Sequence, residues 1–139
     1  EKDTTEVNLI PYAEREKERT KDNITGAIFK TKVDNTHPLG FGYDSSYETL
    51  KTNSSAYKYL KKGFNVAYLD DSSKLLSGFA GEKAMDKISE SLVFGEQRFG
   101  RGSIIYMVDD VMFRSFWENG KLFFVNALFM VNNQSQKFR

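Results

Sequence analysis

The sequence predicts an α/β domain: a mixed β-sheet with helices on both faces. Three observations carry that expectation. Short runs rich in β-branched and aromatic residues recur between Gly, Asn, Asp and Ser clusters, as strands separated by turns do. Other segments space their apolar residues three and four apart, the period of a helix. The 139 residues are 40% hydrophobic and 14% aromatic. That suffices for a core, because a domain of this size buries roughly two thirds of the surface its unfolded chain exposes.

The elements follow in order. Residues 1–23 are a charge-dense lead-in, in which Tyr12–Arg19 reads as a solvated helix with opposite charges near i,i+4 spacing. Pro11 suits its first turn, and Leu9, Ile10 and Tyr12 give it a weak apolar face. Gly26 opens a strand, Ala27–Val33. A polar turn, Asp34–His37, leads into Pro38–Tyr43, where Pro38, Gly40 and Gly42 require a shaped loop. Tyr47–Lys51 is a short strand, Asn53–Lys62 a loop with a helical turn, and Phe64–Leu69 a strand ended by Asp70–Ser73. Lys74–Phe79 is a further strand, and Gly81–Ser89 a helix with Ala84, Met85 and Ile88 on one stripe. Ser91–Arg98 and Ser103–Asp109 form a hairpin about Phe99–Gly102. Asp109 or Asp110 can cap a helix over Val111–Glu118 that Asn119-Gly120 ends. Lys121–Val131 is apolar nearly all round and reads as a helix buried on most sides. Residues 132–139 read as a frayed tail. The simplest parse is one domain over 1–139.

Composition narrows the function. Twenty basic and nineteen acidic residues leave a net charge of +1, without the concentrated basic field that nucleic acid or an anionic membrane needs. The longest apolar stretch, Leu122–Val131, is far short of the ~20 residues of a membrane span. The charged opening at Glu1 carries no signal-peptide pattern and is read as the start of an excised piece. With no cysteine, the chain has no disulfide, no thiolate nucleophile and no sulfur-rich zinc site.

Candidate chemistry is sparse. His37 is the only histidine. It cannot supply the two imidazoles common in catalytic zinc sites, and no Gly-x-Ser-x-Gly elbow accompanies it. Asp34 beside it is explained by a turn. The pairs Asp70-Asp71 and Asp109-Asp110 are adjacent residues, which in a strand point to opposite faces, so neither makes a two-carboxylate site alone. Phe99-Gly-Arg-Gly102 has the glycines of a phosphate loop but leads into a strand rather than a helix N-terminus. Phe113, Phe116 and Trp117 share a helix face by spacing and serve as core or as an exposed aromatic platform. His37, Tyr43, Arg101 and Trp117 are the candidate binding residues, with Tyr47 as a further platform; no residue is assigned a catalytic or metal-ligating role. Sequons at Asn23 and Asn53 are noted without weight.

Two groups of motifs carry a resemblance. Gly26-Ala-Ile-Phe29 followed by Asp34-Asn-Thr-His-Pro-Leu-Gly-Phe-Gly-Tyr43 resembles a segment of certain bacterial zinc carboxypeptidases. Phe99-Gly-Arg-Gly-Ser-Ile-Ile-Tyr-Met-Val-Asp-Asp110, Phe113-Arg-Ser-Phe-Trp117 and Leu122-Phe-Phe-Val-Asn-Ala-Leu-Phe129 resemble their C-terminal end, in the same order. In that family the zinc-bearing peptidase domain lies N-terminal, and the similar region belongs to a class I glutamine-amidotransferase-like, flavodoxin-like domain. The resemblance implies the second half of such a domain, with the amidotransferase nucleophile and the zinc ligands both upstream of Glu1. It further implies an accessory, non-catalytic role in a secreted or periplasmic metallocarboxypeptidase, with no cofactor in this chain. The implied partners are upstream domains of the same polypeptide, or a second copy meeting a naked sheet face. The alternative is a carbohydrate- or peptide-binding module with no enzymatic parent.

Overall fold

The computed structural model describes residues 9–131. The termini, residues 1–8 and 132–139, lie outside it, and with them the first part of the lead-in and the tail. Over the described residues the chain is mixed α/β: a curled antiparallel sheet and three α-helices. The elements are α1 (Tyr12–Lys21), β1 (Ile24–Val33), a 3-10 turn at Pro38–Gly40, β2 (Ser46–Lys51), β3 (Phe64–Leu69) and β4 (Lys74–Ala80). Then come α2 (Glu82–Ile88), β5 (Ser91–Phe99), β6 (Gly102–Met107), a 3-10 turn at Phe113–Ser115 and α3 (Glu118–Phe129).

The strands run in the order β2-β1-β3-β5-β6, with β4 also on β1. Lys32 and Val33 of β1 pair with Tyr68 and Ala67 of β3, while Ile24–Lys30 pair with β4 from Ala80 back to Lys74. So β3 and β4 lie along one edge of β1 as a single strand broken by the Asp70–Ser73 turn. Asp70 holds that turn, its carboxylate accepting the Ser72 amide at 2.9 Å. Every pairing is antiparallel, which corrects the expected mixed sheet. The short connections explain it: the β5–β6 link is a tight hairpin, and no helix of parallel-crossover length separates β1 from β2 or β3 from β4.

The inward face of the sheet supplies one core cluster that includes Phe29, Val33, Tyr47, Val66, Leu69 and Phe94. Ala84 and Ile88 of α2 and Phe123 of α3 join the same cluster. The expected helices on both faces are therefore corrected as well. Two helices feed one core, and the outer face of β5 is covered by the extended segment between β2 and β3. Alternation puts Tyr47, Thr49 and Lys51 of β2 all inward and buried.

Two helix readings fail. Residues 111–117 are not an α-helix: Arg114 and Ser115 have φ of 50° and 60°, a left-handed geometry that no helix propagates. The helix begins later, at Glu118, and Gly120 lies inside its first turn, where a Cβ would stand 2.2 Å from the Val111 carbonyl oxygen. That glycine permits the approach of the two segments instead of ending a helix. Nor is α3 buried on most sides. Only Gly120, Phe123 and Asn126 are buried within it, while Phe124, Val125 and Leu128 are exposed.

Candidate functional site

The inward polar side chains form separate clusters. The first is built on the loop after β1. Asp34 turns the chain by accepting the Thr36 amide at 3.1 Å, and His37 caps the 3-10 turn with Nδ1, which accepts the Leu39 N–H at 3.2 Å. That bond leaves Nδ1 unprotonated, so the neutral ring carries its proton on Nε2. Nε2 faces Glu96 Oε2 of β5 at 3.1 Å, with the side chains 6% and 2% exposed. Among the described residues neither atom has a well-aligned hydrogen-bond partner. The other carboxylate oxygen accepts the Ser103 hydroxyl at 2.5 Å, and the imidazole packs on the Phe64 ring, centroids 4.8 Å apart. Burial holds His37 below its ordinary pKa, against the raising pull of Glu96 and Asp34.

The order of this cluster is Ser103–Glu96–His37, with the carboxylate in the middle. A nucleophilic triad places the imidazole there, to take the hydroxyl proton. His37 does not bond Ser103, and its Nδ1 is committed to the backbone. The ring serves the loop itself, through the Leu39 amide.

The second cluster bridges the two ends of the sheet. Lys51 Nζ, on a side chain 1% exposed, donates to Asp109 Oδ1 at 2.9 Å, and Thr49 Oγ1 donates to Asp109 Oδ2 at 2.7 Å. Asp109 follows β6, so the two bonds tie that end to the β2 edge. Its neighbour Asp110 accepts the Met112 amide at 3.0 Å.

The third cluster is aromatic. Tyr43 stacks on Phe123 at 4.1 Å; its hydroxyl donates to the Asn119 carbonyl at 2.7 Å and accepts the Phe123 N–H at 3.1 Å. Burial raises its pKa. Burial likewise pushes Tyr47 up to about 12, and its hydroxyl accepts Trp117 Nε1–H at 3.3 Å. Asn126 of α3 donates to the carbonyls of Leu39 and Phe41 at 3.0 and 2.7 Å.

Of the sequence candidates, Tyr43 and Trp117 therefore converge through Tyr47, but as half-buried rings with their polar atoms paired internally. His37 belongs to the separate cluster with Glu96. Arg101 stands at the exposed tip of the β5–β6 hairpin, where Gly100 adopts φ 59°. The residues that sequence reasoning missed are Lys51, Glu96, Ser103 and Asn126; Asp109, a candidate helix cap by sequence, is instead the partner of Lys51 and Thr49. A signal existed for two of them: Lys51 shares strand parity with Tyr47 and Thr49, and Glu96 with Phe94, so each is a charge in inward register. No group of three or more His, Asp or Glu side chains that could hold a metal occurs among the described residues. No helix among them is long and apolar enough to cross a membrane. Comparison with protein-family models, with curated proteins and with solved structures finds no match to this chain.

Proposed function

We propose that the chain is a non-catalytic accessory domain that docks onto the upstream part of its own polypeptide, in a secreted zinc carboxypeptidase. The observation that carries the docking half is the outer side of α3. Phe124, Val125 and Leu128 are 37%, 44% and 53% exposed, and Phe116, just before the helix, is 60% exposed. Large apolar side chains gathered on one helix mark interaction sites in soluble proteins. The identity of the parent rests on the order of motifs from Gly26 to Phe129. The all-antiparallel sheet lends no support to the flavodoxin-like part of that resemblance. The accessory role is supported by the internal pairing of the reactive groups: His37, Glu96 and Ser103 bond one another or the backbone. Trp117, with its Nε1–H bonded to Tyr47, is a poor sugar platform.

The test uses Val125→Ser with Leu128→Ser. Both side chains are exposed, so the double variant keeps the melting temperature of the chain. Calorimetry with the separately produced upstream region should show binding to the unaltered chain and at least a tenfold loss with the variant. Equal binding by both overturns the docking surface. A natural reading frame with no metallopeptidase domain upstream overturns the parent. Peptide hydrolysis by the isolated chain that Ser103→Ala or Glu96→Gln abolishes overturns the non-catalytic reading.

A further inference from the structure

A second surface, on the opposite side of the sheet from the core, has the makings of a ligand site. The segment between β2 and β3 crosses the outer face of β5 and leaves a cleft of about 420 Å³ beside β6. Tyr57, Lys58, Leu60, Leu92, Tyr106 and Met107 line it, with Val108. Its volume lies toward the small end of the range for small-molecule sites, about 300–1,000 Å³.

The wall of this cleft is held in place by hydrogen bonds within the chain. Asn65 of β3 takes both backbone groups of Leu60: its Oδ1 accepts the Leu60 N–H at 2.8 Å and its Nδ2 donates to the Leu60 carbonyl at 3.2 Å. The Leu92 N–H donates to the Tyr57 carbonyl at 2.8 Å, and the Tyr59 hydroxyl donates to the Leu69 carbonyl at 2.6 Å. Gly95 lets the segment lie close, since a Cβ there would stand 2.9 Å from Leu60 Cδ1. A site walled by hydrogen-bonded backbone loses little freedom on binding.

The lining specifies the ligand. Leu60, Leu92 and Val108 offer an apolar surface, with Tyr57 and Tyr106 also in the lining. The Tyr106 hydroxyl already donates to Gln97 Oε1 at 3.2 Å. Lys58 is the one charged residue of the lining, and it makes no ion pair among the described residues. A sugar would bring more hydroxyls than this lining can satisfy. A phosphate dianion would call for several donors where there is one ammonium. A hydrocarbon or aryl body carrying a single carboxylate matches both parts. We propose that this cleft binds a small apolar monocarboxylate, its body against Leu60, Leu92 and Val108 and its carboxylate on Lys58. The proposal concerns a different face from α3 and stands whether or not that helix docks.

The experiment is a titration of the full chain, ¹⁵N-labelled and at low ionic strength, followed by amide shifts. Its probes are 3-phenylpropionate, hexanoate, 3-phenylpropanamide, 3-phenylpropylamine and N-acetylglucosamine. The two acids should give saturable shifts at Lys58, Leu92 and Tyr106, with Kd on the order of 1 mM by ligand-efficiency bounds. The amide should bind at least fivefold more weakly. Lys58→Gln should erase the gap between acid and amide, and Lys58→Glu should prefer the amine; Lys58 is exposed, so both variants fold. A stronger response to hexanoate assigns an alkyl body, and to 3-phenylpropionate an aryl one, either supporting the proposal. Equal affinity for acid and amide, saturation by N-acetylglucosamine at the same amides, or no saturable shift with either acid overturns it.

Discussion

Replacing Lys51 by methionine isolates the buried ion pair that joins the two ends of the sheet. Methionine fills most of the lysine's volume, so the change removes the charge without opening a large void. It leaves Asp109, whose side chain is 7% exposed, with the Thr49 hydroxyl as its remaining side-chain partner among the described residues. Stranding one member of a buried pair costs about 3–5 kcal/mol, a large share of the ~5–15 kcal/mol that holds a domain folded. At about 3–5 °C per kcal/mol for a chain of this length, the melting temperature should fall by ~10–25 °C. Urea unfolding followed by the fluorescence of Trp117, the only tryptophan, reads this out, and its Nε1 contact with Tyr47 places it beside the same strand. The midpoint should drop by about 2 M with an unchanged slope. Adding Asp109→Leu removes the stranded charge and should restore most of the loss. A cost below ~1 kcal/mol for Lys51→Met, or a double variant as unstable as the two single costs added, would refute the assignment of Lys51–Asp109 as a coupled buried pair.

Two further outcomes follow from the same geometry. Burial lowers the His37 pKa below its ordinary 6.5, so the unfolded chain binds that proton first as pH falls. Stability present above pH 6.5 should therefore decline below it until the folded-state pKa is reached, by at most about 1.4 kcal/mol per pH unit. Chemical denaturation between pH 8 and 5 should show that decline flattened in His37→Asn. Gly120→Ala should destabilise the chain by ~1–3 kcal/mol in urea, because its Cβ would stand 2.2 Å from the Val111 carbonyl oxygen. This reverses the ~1 kcal/mol gain expected for the same change in an unhindered helix, and a gain in stability would contradict the close packing of α3 on residue 111.

Strand positions were legible because local pattern decides them. Phe64–Leu69 occupies the span its sequence predicts, and β1, β2, β4, β5 and β6 differ from expectation only near their ends. The α2 stripe of Ala84, Met85 and Ile88 packs as its spacing implies. Residues 111–118 misled because Phe113, Phe116 and Trp117 mimic helical spacing while the backbone is decided elsewhere. Asp110 captures the Met112 amide, and Arg114 and Ser115 turn left-handed. The all-round apolar character of α3 misled for another reason. A helix that is apolar on every side is buried only if something covers it, and hydrophobicity cannot say where that cover comes from.

The polar interior was illegible for a reason of distance. Lys51 meets Asp109 across 58 residues and Thr49 meets it across 60, and Asn126 meets Leu39 across 87. Short-range pattern cannot see such partners, although a lysine or glutamate in inward strand register announces that one must exist. These ties share one consequence. The loop from Asp34 to Tyr43 is held to β5 by His37 and Glu96, to α3 by Asn126, and to the start of that helix by the Tyr43 hydroxyl. A polar group bonded on each side inside the fold fixes geometry and has little capacity left for a substrate. The groups left with capacity are outside: Lys58 at its cleft, Arg101 at the hairpin tip, and the apolar side of α3. Both proposed binding surfaces lie on that outer side, away from the paired groups of the interior.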